Sequence, residues 1–242
     1  MVLTIDVGNT RIKTAVFEQH TLVELFLFTA NDFKIGIQNI LNKYPKITNA
    51  IVSSVGKLQK EDFSGFSINV NFIDHETILP IENLYQTPKT LGIDRIVLAT
   101  GASLLYPDKN RLIIDAGTCI TYDYINDKNQ YLGGAISPGF KLRYQSLHNY
   151  TARLPLLTLE NPQSIIGNNT TSAIHSGIVN GVVNEIQSFI EQFEQENSNF
   201  IIILTGGDTE FLAKRLKNTI FANPNFLLES LNLIYLHKNQ ND

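Results

Sequence analysis

Three carboxylates sit beside glycine at places where the chain turns, and their neighbours are groups that phosphate chemistry uses. The first is Asp6, in Asp6-Val7-Gly8-Asn9-Thr10. A carboxylate at a strand end is costly to bury without a partner. Gly8 lets the backbone turn and brings amide N–H groups close to a ligand. Asn9 and Thr10 add neutral donors, and Lys13 adds a cation. That set suits the β- and γ-phosphates of a nucleotide, with Asp6 holding Mg²⁺ directly or through water. A plain hairpin with a solvated Asp carries the same local signature. A second copy tips the balance. Leu3-Thr4-Ile5-Asp6-Val7-Gly8 recurs 109 positions later as Leu112-Ile113-Ile114-Asp115-Ala116-Gly117, followed by Thr118. A fixed-offset repeat points to duplication. It predicts two similar halves facing each other across a cleft, each presenting a strand-end acid and a turn, together clamping a phosphate.

The third carboxylate is Asp94, in Gly92-Ile93-Asp94-Arg95 at a predicted helix start. A helix N-terminus favours ionised Asp, and an ionised Asp can take the proton of a hydroxyl as it attacks phosphorus. An Asp serving only its own helix has the same pattern. Two further stretches allow close approach of a ligand to backbone. Leu132-Gly133-Gly134-Ala135-Ile136-Ser137-Pro138-Gly139 is dense in glycine, and Thr205-Gly206-Gly207-Asp208 is similar to an adenosine-contacting turn. No Gly-x-x-x-x-Gly-Lys-Ser/Thr loop and no Gly-x-Gly-x-x-Gly is present, so the P-loop and Rossmann readings have no support. The five histidines show no ligand spacing, which argues against zinc. His175 is expected on a helix surface or groove, and Cys119 as a small buried thiol.

The elements that must position these groups follow from pattern. Strands are expected over residues 2–6, 11–17, 21–28, 50–55, 68–73, 111–115, 120–125, 131–136 and 200–204. Helices are expected from a cap at Asn31 to about Tyr44, from Gly92 to about Leu105, and from Phe140 to His148. A long one starts at Thr170 or Thr171 and runs through Phe193; others run through Leu216 and from Ser230 to His237. A short helix after Lys57 is allowed. Residues 76–91, with Pro80 and Pro88, read as an irregular loop of the kind that can cover a substrate.

Composition bounds the class. The 242 residues are 43% hydrophobic and 17% charged, which excludes disorder and low complexity. A net charge of −4 argues against a nucleic-acid binder. One cysteine excludes an internal disulfide. No apolar run spans a bilayer, so no membrane role is expected. The N-terminal apolar stretch lacks a basic lead and is broken by Asp6, unlike a secretory signal. A cytoplasmic α/β protein is the expectation.

Taken in order, Asp6 to Thr10, Gly92 to Arg95, Asp115 to Thr118 and Gly133 to Gly139 resemble the motifs of the type III pantothenate kinases. That family lies within the acetate and sugar kinase, Hsp70 and actin superfamily. The resemblance implies an α/β fold of two ribonuclease H-like halves (the actin-like ATPase fold) around a central cleft, here residues 1–109 and 110–242. It implies ATP-dependent phosphorylation of the terminal hydroxyl of pantothenate, the first step of coenzyme A biosynthesis. Carried over by position, Asp6, Val7, Gly8, Asn9, Thr10, Arg11, Ile12 and Lys13 surround the ATP phosphates with Mg²⁺ at Asp6, and Thr118 contacts ATP. Asp94 is the proton acceptor. Tyr85, Gly92, Ile93, Asp94, Arg95 and Thr170 hold pantothenate. Asp115 binds a monovalent cation, K⁺ or NH₄⁺. The family also implies a homodimer in which Thr170 serves the partner's site. The chain is somewhat short for the family, and Cys119 stands where a smaller residue is common. Two other readings remain open at this point: a kinase of the same superfamily acting on a sugar or carboxylate, and a nucleotide-binding regulator without kinase activity.

Overall fold

The computed structural model describes residues 1–8, 11–55, 58, 60–217 and 220–241. The first elements are β1 (Val2–Val7), β2 (Ile12–Glu18), β3 (Thr21–Phe28), α1 (Phe33–Lys43), β4 (Asn49–Ser54), β5 (Asn69–Phe72), β6 (Glu82–Asn83) and α2 (Ile93–Leu105). They are followed by β7 (Asn110–Ala116), β8 (Cys119–Ile125), β9 (Gln130–Pro138), α3 (Phe140–Asn149), α4 (Thr170–Glu196), β10 (Phe200–Thr205), α5 (Thr209–Ala213), β11 (Phe221–Ala222) and α6 (Phe226–Asn241). Residues 1–108, 128–132 and 225–242 form one compact unit, and residues 109–127 and 133–224 form another.

In the first unit five strands lie in the order β3-β2-β1-β4-β5. β1 pairs antiparallel with β2 and parallel with β4. Side chains alternate across a strand. Leu3, Ile5 and Val7 of β1 therefore point one way, into a core with Phe33, Ile37 and Ile40 of α1. Thr4 and Asp6 point the other way. On that opposite face α6 packs against β1, β2 and β4, and α2 packs against α6 and β4. The expected cap of α1 moves by one residue: the cap is Asp32, not Asn31. The hydroxyl of Thr29 donates to its carboxylate at 2.6 Å, and a 3₁₀ turn over Ala30–Asp32 leads into the helix. The helix allowed after Lys57 is a single 3₁₀ turn, Lys60–Phe63. The 76–91 stretch is more ordered than a loop. Glu82 and Asn83 pair in parallel with Gln130 and Tyr131, and Pro88–Thr90 form a 3₁₀ turn just before α2.

The second unit repeats the central arrangement. Its strands follow the order β11-β10-β7-β8-β9, with β7 antiparallel to β8 and parallel to β10. Leu112, Ile114 and Ala116 of β7 pack with Phe140 and Tyr144 of α3 and with Ile174, Ile178, Val182, Ile186 and Ile190 of α4. Each of these Leu, Ile, Val and Phe side chains, moved from water into the core, contributes about 1.5–3 kcal/mol. The i+4 spacing of the α4 residues draws one apolar stripe along 27 residues. Asn169 starts this helix with a reciprocal capping box to Ser172. α5 stops at Ala213, short of the helix expected through Leu216.

Candidate functional site

In the first unit the strand ends bring three polar groups side by side. Asp6 lies opposite Lys13 of β2 and beside Ser53 of β4 in register. Directly paired residues share a face, so all three sit on the side of the sheet that carries α2 and α6. Ser53 is fully buried, and its hydroxyl has no hydrogen-bond partner among the described residues. The turn after β1 is drawn in where Gly8 N donates to Arg11 O at 3.1 Å. Asn9 and Thr10, the expected neutral donors, lie outside the described residues. Arg11 is exposed. Val7 and Ile12 are core residues at 2% exposure each, so only their backbone can face a ligand.

At the start of α2, Asp94 Oδ1 accepts from Arg95 N at 2.9 Å. A Cβ at residue 92 would fall 2.4 Å from that same oxygen, so only glycine leaves room for this carboxylate rotamer. Burial pushes the Asp94 carboxyl above the ordinary Asp value, against the pull of the Arg95 N–H and guanidinium. Ile93 and Arg95 are buried. Tyr85 is half-buried, its ring 6.1 Å from that of fully buried Tyr131 and its N–H on Asn83 Oδ1. His75 Nε2 lies 2.8 Å from Leu91 O and ties the segment before α2 to its approach. The expected base, its flanking residues and Tyr85 thus share a unit with Asp6 and Lys13.

In the second unit three turns converge. Asp115 sits in register with Thr121 of β8 and Thr205 of β10. Gly206 has φ +95°, and a Cβ there would lie 2.4 Å from Asp115 Oδ1 and 2.3 Å from Ala116 O. Glycine alone tolerates both the angle and the approach. Asp208 N donates to Ala116 O at 3.0 Å, and Gly139 N donates to Thr118 O at 3.1 Å. Around these turns opens a cavity of about 470 Å³. Thr118, Gly207 and Asp208 line it together with Phe140 and Tyr144 of α3 and the segment 156–159. The expected ATP contact and the adenosine-like turn therefore meet, with apolar walls that sequence pattern did not single out.

Thr170 is elsewhere. It is exposed at the first turn of α4 and lines a different hollow, about 650 Å³, with Arg143, Leu147, Leu154, Ile174 and Ile178. Arg143 is firmly held there. Its guanidinium donates to Glu185 Oε2 at 2.6 Å and to Ser137 Oγ and Pro138 O at 2.8 Å each. Tyr122 adds its hydroxyl to Glu185 Oε1 at 2.9 Å. Burial works against the Glu185 charge, yet the hydrogen bonds from Arg143, Ser137 and Tyr122 hold its carboxyl below the ordinary Glu value. Nothing local in the sequence marks this network, since Arg143 and Glu185 are 42 positions apart.

Two expectations are corrected. Cys119 is exposed, because it opens β8 at the rim of the turn before the strand enters the core at Ile120. His175 is buried on α4, not at a surface or groove, because its Nδ1 lies 2.8 Å from the hydroxyl of buried Tyr144. Among the described residues no group of three or more His, Cys, Asp or Glu is placed to hold a metal. No described helix is long and apolar enough to cross a membrane.

A family profile described as Type III pantothenate kinase matches residues 2–192. The chain is 61% identical over its whole length, and that of the relative, to a type III pantothenate kinase of Flavobacterium johnsoniae. It is 59% identical to that of Flavobacterium psychrophilum, over 98% of this chain and all of the relative. Among solved structures, a Campylobacter jejuni protein described as a Baf family transcriptional activator superposes with a TM-score of 0.65 at 24% identity, covering 99% of this chain and 100% of that one. A Listeria monocytogenes protein described as an N-acetylmannosamine kinase gives a TM-score of 0.56 at 14% identity, covering 100% and 99%. These likenesses carry the fold: mixed α/β, of the actin-like ATPase class.

Proposed function

Because the chain belongs to the type III pantothenate kinase family, we infer that it transfers a phosphoryl group from ATP to the terminal hydroxyl of pantothenate, the first step of coenzyme A biosynthesis. Phosphoryl transfer asks for positioning and charge neutralisation more than covalent chemistry. We propose Asp94 as the group that takes the proton of the attacking hydroxyl. One observation carries this role: a carboxylate at a helix start, with burial raising its pKa and Gly92 leaving it room. A raised pKa makes the carboxylate a stronger base, nearer to its working pH. Gly92, Ile93, Arg95 and Tyr85 surround it as the pantothenate side, the Arg95 guanidinium supplying charge for a carboxylate.

Asp6, with the backbone of Val7 to Ile12 and the ammonium of Lys13, forms the phosphate end. The donor set fits Mg²⁺ through oxygen: the Asp6 carboxylate and the Ser53 hydroxyl beside it in register are hard donors, while the Lys13 ammonium is placed for phosphate oxygens. Mg²⁺ held at Asp6 would supply positive charge against the phosphate oxygens. Asp115, flanked by the hydroxyl residues Thr121 and Thr205 rather than by a cation, fits K⁺ or NH₄⁺. Within the second unit, the cavity at Thr118 and Asp208 fits a nucleoside.

The protein works as a homodimer in the cytoplasm, where ATP is made. Thr170 opens on a hollow separate from that of Thr118, and Ile165 and Ile166 just before it are 76% and 79% exposed, which suits a helix that serves a second copy. Mixing Asp94→Asn chains with Thr170→Ala chains tests this together with the activity. Each variant alone is expected to lose pantothenate-dependent ADP release. The mixture is expected to regain it, because one site of the mixed dimer pairs an intact Asp94 with an intact Thr170 from its neighbour. Wild-type protein that splits ATP no faster with pantothenate than without it would overturn the kinase reading. Variants that fail to complement would place Thr170 in its own chain's site.

A further inference from the structure

The cavity beside Thr118 holds one acid with nothing to do. Asp208 follows the Gly206-Gly207 turn, and its backbone N–H is spent on Ala116 O. It occupies the position before α5, yet its side chain caps nothing there. Its carboxylate has no hydrogen-bond or ion-pair partner among the described residues. Leu156, Leu157 and Leu159 line the cavity with Thr118, Lys141 and Gln145, and buried Phe140 and Tyr144 back it from the core. A half-buried acid lining a mainly apolar hollow is costly unless a ligand brings hydrogen-bond donors to it.

We propose that Asp208 is a specificity residue that reads the sugar of the nucleotide: its two oxygens accept from the vicinal 2′- and 3′-hydroxyls of a ribose while the leucine wall takes the base. A carboxylate matches a vicinal diol because it offers two acceptors side by side, as the acids of dinucleotide-binding folds do for ribose. An apolar wall offers no hydrogen bonds to the edge of a purine, so the base itself is read weakly. The half-buried setting fits this use. Burial alone pushes the Asp208 carboxyl above its ordinary value, as expected for an acid whose partner comes with the ligand. The inference rests on the nucleotide-site reading above and adds which part of the nucleotide is recognised.

The test compares ATP, dATP and ITP as phosphoryl donors to pantothenate with wild type, Asp208→Ala and Asp208→Asn, and measures ATP and dATP binding by calorimetry without pantothenate. Wild type is expected to show a KM for dATP about tenfold above that for ATP and a KM for ITP within about twofold. Asp208→Ala should raise the KM for ATP about tenfold, leave kcat within about twofold and erase the gap between ATP and dATP. Asp208→Asn, which keeps one acceptor and the shape, should fall between. Equal use of dATP and ATP by wild type, or a gap that survives in Asp208→Ala, overturns the proposal. An ATP-to-ITP gap that the variant erases also overturns it, by putting the donor on the base. If wild type does not phosphorylate pantothenate but binds ATP more tightly than dATP, and Asp208→Ala loses that difference, the sugar reading stands and the kinase reading falls.

Discussion

The corner at Asp6 and the corner at Asp115 share a backbone and differ in charge. In each, an acid on a central strand is flanked by the antiparallel strand that comes next in the chain and by a parallel strand from further along it. For Asp6 those flanking residues are Lys13 and Ser53. For Asp115 they are Thr121 and Thr205. Duplicated topology has therefore kept the place of the acid and changed what stands beside it. A cation across from Asp6 suits a site that handles concentrated phosphate charge. Neutral hydroxyl residues beside Asp115 suit a weaker, singly charged ion. Pattern repetition locates such corners; their chemistry is set by neighbours supplied by other strands.

The sharpest way to break this contrast is to neutralise each acid in turn. Asp6→Asn should cut kcat/KM by about 10³-fold or more, with no recovery at high K⁺, because the carboxylate that would hold Mg²⁺ against the phosphates is lost. Asp115→Asn should cost about tenfold and raise the K⁺ concentration needed for half-maximal rate. Steady-state kinetics across K⁺ and Mg²⁺ series reads both, and equal losses with equal ion responses would erase the distinction.

Next in size is Gly92→Ala. The new Cβ strikes Asp94 Oδ1, so the carboxylate must leave its present rotamer. A shift of about 1 Å in a reacting group costs roughly 100-fold in turnover. The expected result is a fall of that order in kcat with ATP binding kept, measured by calorimetry beside rate assays. This change belongs to the first unit alone, and an unaltered kcat would show that the rotamer of Asp94 does not matter.

The smallest effect concerns the second unit's frame. The folded-state pKa of Glu185 is depressed by its hydrogen bonds to Arg143, Ser137 and Tyr122, which outweigh the opposing effect of burial. Its contribution to stability is therefore present above the unfolded value near 4.5 and is lost as pH falls through the lower folded value. Glu185→Gln should lower stability by about 1–2 kcal/mol at neutral pH, and chemical denaturation should show that deficit shrinking as pH falls below 4.5. A deficit that is constant with pH would mean the charge is not what Arg143 holds.

How much of this was legible in the sequence depends on what each feature needs. The Asp-x-Gly repeat, the glycine turns and the α4 stripe are local patterns, and the structure has strands, turns and a helix where they predict them. The pairing of Glu82 and Asn83 with Gln130 and Tyr131 was not legible, because a two-residue strand has no period to detect. His175 was expected outside the core because histidine is polar. Its burial depends on Tyr144, which α3 brings to within hydrogen-bond reach. Cys119 was expected inside because a free thiol behaves as a small apolar group, but its place at the strand's first residue decided otherwise. The Arg143–Glu185 pair joins α3 to α4, and the lining beside Asp208 joins α3 to the 156–159 segment, so both are tertiary products.

The most direct test of Asp94 as proton acceptor is a single-turnover measurement of phosphoryl transfer from ATP to pantothenate with wild type and Asp94→Asn. The variant should bind ATP as wild type does and transfer at a rate lower by about 10²–10⁴-fold. The wild-type rate should fall on the acid side with a midpoint above 3.8, since burial raises the carboxyl that must be ionised. An Asp94→Asn enzyme that transfers phosphate at the wild-type rate would contradict the mechanism.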